Sequence, residues 1–122
     1  MSWLTFISSV INTAFSTPPL SKLKAPANLI GARVSYSSDG RSGRVIFSRG
    51  LRSFDMYYEF GGGDTVALID IPTVEEWTAK TWFSLEMRQP VLEFIAQSVA
   101  RDQTTRGKGR YVIHADHISI HV

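Results

Sequence analysis

The stretch Phe54–Trp77, F-D-M-Y-Y-E-F-G-G-G-D-T-V-A-L-I-D-I-P-T-V-E-E-W, decides the fold class of this chain. Phe54, Met56, Tyr58 and Phe60 alternate with Asp55, Tyr57 and Glu59, the period-two pattern of a strand with one wet face. After Gly61-Gly62-Gly63-Asp64 a second alternating run, Ala67, Ile69 and Ile71 against Val66, Leu68 and Asp70, completes a hairpin. Thr73-Val74-Glu75-Glu76 behind Pro72 is a capping box, predicting a short helix that carries Trp77 inward and ends near Thr81.

Upstream, Asp39-Gly40 predicts a tight turn between the runs 31–37 and 44–49. Read as a two-residue turn, it sets Val34 opposite Val45; the next turns then set Phe47 opposite Met56 and Met56 opposite Ile69. One face collects Val34, Val45, Phe47, Phe54, Met56, Tyr58, Phe60, Ala67, Ile69 and Ile71, and a slip of one residue would scatter that set. The other face collects Arg33, Arg44, Asp55, Tyr57, Glu59 and Asp70. In this register Arg44 faces Glu59 and Asp55 faces Asp70.

Downstream, Leu85, Leu92, Ile95, Ala96 and Val99 mark the buried stripe of the main helix, expected from Ser84 to about Thr104. Pro90 lacks a backbone donor, which offers Gln89 as an alternative start. The last thirteen residues read as two strands about Ala115-Asp116, with Ile113 opposite Ile118. The expected architecture is α+β: an antiparallel meander of about four strands plus a C-terminal hairpin, packed on one face by a long helix.

Met1 to Phe15 carries no charge, and Trp3, Ile7, Val10, Ile11 and Ala14 recur at helical spacing. We expect an amphipathic helix over 1–16, a proline-bearing linker over 17–28 and the α+β core over 29–122, as a single domain. The run lacks the basic start of a secretory leader and is too interrupted by polar residues to span a bilayer. It also lacks the Lys and Arg of a membrane-surface helix, so the expected contact is its own domain or a second copy.

Composition narrows the chemistry. The chain of 122 residues has no cysteine, which removes disulfides, thiolate metal sites and cysteine nucleophiles and fits a cytoplasmic protein. The net charge of +2 is unevenly distributed: residues 22–52 hold seven bases against one acid, and residues 55–93 hold eight acids against two bases. Neighbouring strands that neutralise one another account for part of that sorting.

Three constellations carry candidate chemistry. Asp55 and Asp70, if opposite, could bind a divalent cation or share a proton. His114, Asp116 and His117 form a His-x-Asp-His motif; its histidines are expected about 5 Å apart across the strands. His121 falls roughly 13 Å farther along, which leaves the set one ligand short of a zinc centre. Arg33, Arg41, Arg44, Arg49 and Arg52, with the 106–110 loop, form the basic segment a nucleic-acid binder would use. The glycine turn lacks the Lys-Ser/Thr and the following helix of a phosphate loop.

No nucleophile and base stand together in the sequence, and no cofactor is expected. The leading expectation is a small non-enzymatic protein-interaction domain of the binding, inhibitor or immunity type. Its surface would be Trp3, Ile7, Val10 and Ile11 together with Arg33, Arg44, Tyr57 and Glu59. A homodimer through the N-terminal helix or an edge strand belongs to this reading. The alternatives are a metal-dependent hydrolase or metal-binding protein using the Asp55/Asp70 or His114/Asp116/His117 sets, and a nucleic-acid binder.

Overall fold

The structure, a computed structural model, describes residues 29–122. The expectations for the N-terminal helix and its Trp3, Ile7, Val10 and Ile11, and for the linker, lie outside the described residues. Six strands form one antiparallel sheet: β1 (Arg33–Asp39), β2 (Ser42–Arg49), β3 (Arg52–Phe60), β4 (Thr65–Asp70), β5 (Arg110–Ile113) and β6 (His117–His121). Their order is β1-β2-β3-β4-β6-β5, so the meander continues directly into the C-terminal hairpin. Between β4 and β5 come α1 (Trp77–Thr81), a 3₁₀ turn at Leu85–Met87 and α2 (Arg88–Asp102).

The alternating faces are as expected, but the ladders differ. Val34 pairs with Phe47, Val45 with Met56 and Tyr58 with Ile69, each two residues from the register expected. The turns supply the reason. The loops are Gly40-Arg41 and Gly50-Leu51, with the glycine at the first loop position in a left-handed conformation (φ 75° and 61°). That is where a tight hairpin turn of the II′ kind takes its glycine, whereas reading Asp39-Gly40 as the loop put glycine second. A two-residue error preserves side-chain parity, so the apolar face survives intact. The C-terminal hairpin pairs Ile113 with Ile118 as expected.

That face supplies the core. Val45, Phe47, Phe54, Met56, Tyr58, Ala67, Ile69, Ile71, Ile118 and Ile120 are buried against Trp77, Phe83, Val91, Leu92, Ile95, Ala96 and Val99. Phe47 sits among the rings of Phe54, Phe83 and Phe94, with centroids 5.6–6.0 Å away. Thr73 and Glu76 make the reciprocal capping bonds (3.1 and 3.3 Å), although the regular helix begins only at Trp77. Pro90 is the third residue of α2, where backbone donors have no helical acceptor, so it is tolerated.

The two edge strands, β1 and β5, both reach α2. Each edge is tied to it by a tyrosine. Tyr36 of β1 donates to Asp102 at 2.8 Å, and Tyr111 of β5 donates to Glu93 at 2.7 Å.

Burial, followed by these carboxylate partners, raises the affinity of both phenols for their protons. A phenol whose proton is held more tightly in the folded state contributes stability below the unfolded value of about 10, and loses it as pH rises beyond. Unfolding free energy should therefore fall above about pH 10. In Tyr36→Phe/Tyr111→Phe that alkaline slope should flatten, while stability at neutral pH drops by about 1 kcal/mol per lost bond. Denaturant melts at pH 7 to 11 check both effects.

Candidate functional site on the uncovered face of the sheet

The face turned away from α2 carries the odd-numbered residues of β1, β3 and β6 and the even-numbered residues of β2, β4 and β5. Following the ladders, Ser37, Arg44 and Tyr57 stand in one row across β1 to β3, Asp70 pairs with His117, and the His114 amide donates to the His117 carbonyl. The next row holds Glu59, Leu68, Ser119 and Val112. Where β3, β4 and the β5–β6 turn meet, Tyr57, Glu59, Leu68, Asp70, Asp116 and His117 line a shallow depression of about 370 Å³.

Local chemistry fixes several of these groups. The Tyr57 hydroxyl donates to Glu59 at 3.3 Å. His117 Nδ1 lies 2.8 Å from Asp116 Oδ1, so a neutral His117 keeps its proton on Nδ1. That bond, above all, holds the Asp116 carboxyl below the usual carboxylate range. The His114 and His117 rings stack with centroids 4.1 Å apart and planes 15° from parallel. Ser119, nearly buried, places its hydroxyl 3.2 Å from His114 Nε2 and 2.9 Å from His121 Nε2. One hydroxyl has one proton, so when both bonds are satisfied one imidazole accepts from it and the other donates to it.

The turn bearing Asp116 and His117 is anchored from the opposite side. Arg88, at the start of α2, donates to the Pro72 carbonyl from Nε and Nη2 (3.2 and 2.9 Å) and to the Ala115 carbonyl (3.0 Å). The Ile71 amide donates to the Asp116 carbonyl at 3.0 Å. Residues on the helix face thus set the position of residues on the open face.

Two expected pairings change. β3 and β4 pair Tyr58 with Ile69 instead of Met56 with Ile69, so Asp55 no longer falls opposite Asp70, which faces His117 on its other side. The same two-residue difference puts Arg44 opposite Tyr57 and brings its guanidinium to Asp55, 3.9 Å away, instead of Glu59. His114, Asp116 and His117 do come together, as a hydrogen-bonded and stacked cluster. Among the described residues no three His, Asp or Glu side chains form a group suited to holding a metal ion.

The basic segment is divided. Arg33 and Arg44 lie on the open face, while Arg49 and Arg52 face each other on the helix side. Among the described residues, no helix is long and apolar enough to cross a membrane.

Sequence reading missed Leu68, Ser119 and Arg88 as parts of this arrangement. Ser119 had the right parity to join the histidines. Arg88 had no signal, because its acceptors are backbone carbonyls of two distant turns. No family model, curated protein or solved structure matches this chain.

Proposed function

We propose that this is a non-enzymatic protein-interaction domain that uses the uncovered face of its sheet to receive a basic side chain of a partner protein. The observation that carries this reading is the depression beside Tyr57, where Glu59, Asp70 and Asp116 bring three carboxylates around an apolar floor at Leu68. Carboxylates accept the N–H fork of arginine, and an aromatic face attracts a cation. Tyr57 is 40% exposed, open enough to be contacted. Beyond the depression, half-buried Ile46 offers apolar area beside Arg44 and Asp55, the mix expected of a protein-binding surface.

A random-peptide display selection on the full chain tests the proposal. Recovered peptides should be enriched in Arg and Lys, and their capture should be lost with Tyr57→Ala/Asp70→Asn, whose side chains are on the surface and outside the core. Peptides without basic residues, or capture indifferent to both substitutions, would refute the assignment.

A further inference from the structure

A second feature lies at the end of the sheet where β2 turns into β3, far along the strands from the Gly62-Gly63 turn. Trp82 caps α1 with φ 68°, in the left-handed region where glycine is the usual residue. Its neighbours hold it there. Thr81 and Phe83 are buried, the Thr81 hydroxyl donates to the Trp77 carbonyl at 2.8 Å, and the Phe83 amide donates to that hydroxyl at 3.1 Å. The backbone is therefore pinned on both sides, while the indole stands 78% exposed. The fold imposes this backbone conformation, which glycine would adopt freely, but it does not require the exposed ring.

Beside it, Leu51 at the tip of the β2–β3 turn is fully exposed, and both residues line one depression with Arg52, Ser53 and Thr81. Arg52 is held in place: it donates to the Trp82 carbonyl at 3.1 Å and stacks over the Phe83 ring at 5.9 Å. Arg49 lies directly across from it. Among the described residues neither arginine has a carboxylate within ion-pair distance, and the buried Arg49 Nε has no hydrogen-bond partner. Like charges directly opposite in a sheet repel, and carboxylates brought from outside would offset that repulsion.

We propose that Trp82, Leu51, Arg52 and Arg49 form a second docking surface, whose partner is an acidic protein segment presenting a large apolar side chain flanked by carboxylates. Trp, with Arg, is enriched among the residues that dominate binding energies. Charge complementarity selects this occupant. Residues 1–28 contain no Asp or Glu, so they cannot neutralise the arginines. A nucleic acid would need a longer row of phosphate contacts than two arginines supply. This surface is separate from the depression at Tyr57, so the two proposals stand or fall independently.

The same peptide-display selection on the full chain, scored for a second class of binder, provides the test. Peptides with Asp or Glu beside Leu, Ile, Phe or Trp should be recovered, and should bind at least tenfold more weakly to Trp82→Gly and to Leu51→Glu. Asp70→Asn should leave their affinity unchanged. Trp82→Gly should melt no lower than the parent, since glycine takes the left-handed conformation freely. Acrylamide should quench the Trp82 fluorescence, read as the difference between the parent and Trp82→Gly. Four results would overturn the proposal: absence of acidic binders, affinity unchanged in both variants, displacement of the peptides by a single-stranded oligonucleotide, or a Trp82 shielded from acrylamide by residues 1–28.

Discussion

Trp77→Ala should lower the unfolding free energy by about 3–5 kcal/mol, the range for truncating a large buried aromatic. Trp77 is wholly buried, its ring meets Phe54 edge to face at 5.6 Å, and its indole N–H donates to the Ser84 carbonyl at 2.9 Å. It therefore ties β3 to α1 and to the segment that leads into α2. Trp77→Phe keeps most of the apolar contact and removes the donor, so a smaller loss of about 1–2 kcal/mol is expected. Urea melts should show the midpoint falling in that order, with the slope nearly constant. Equal losses for both variants would mean that the hydrogen bond, rather than the packed ring, dominates.

The second large effect is expected at Arg88. Three hydrogen bonds from its half-buried guanidinium reach two carbonyls on separate turns. Bonds to a charged group contribute about 1.5–3 kcal/mol, and water can replace part of what is lost, so Arg88→Ala should cost about 2–3 kcal/mol. Arg88→Lys should restore less than half, because a single ammonium cannot reproduce the fork. Burial, the largest influence, makes the Arg88 guanidinium less basic than usual, consistent with a cation solvated by carbonyls rather than by water.

The substitution should also be felt on the other face of the sheet. Hydrogen exchange of the Ile71 and His114 amides, which donate to Asp116 and His117 carbonyls, should accelerate ahead of the β2–β3 ladder. Uniform acceleration throughout the sheet would show that Arg88 acts only on global stability.

These two residues show what was legible in the sequence. Trp77 could be read, because a capping box fixed the start of the turn and the helical period then pointed its ring inward. The two faces of the meander could be read for a similar reason: parity depends only on alternation, which Phe54–Phe60 displays without interruption. Register could not, because it depends on which loop position the glycine of each turn occupies. The choice between Gly40 first and Gly40 second moves every β1–β2 partner by two residues. The matching two-residue shift between β2 and β3, at the Gly50-Leu51 turn, joined Arg44 to Asp55, and the one between β3 and β4 separated Asp55 from Asp70.

Arg88 could not be read at all, since hydrogen bonds to backbone carbonyls leave no pattern in the side chains that receive them. The histidine cluster was half legible. Strand parity placed His114, His117 and His121 on one face, but the part played by Ser119 depends on the β5–β6 hairpin closing tightly enough to share one hydroxyl between two rings. Trp82 gave no sign of its left-handed backbone, which arises from the buried residues on either side.

We propose that the carboxylate-lined depression on the open face receives a basic side chain of a partner. The most direct test is calorimetric titration of an arginine-containing peptide from the display selection into the parent protein and into Asp70→Asn, at low and at physiological salt. Removal of the Asp70 charge should weaken binding about tenfold, a difference of about 1.4 kcal/mol, and added salt should narrow the gap. Equal affinity for the two proteins at both salt concentrations would contradict the claim.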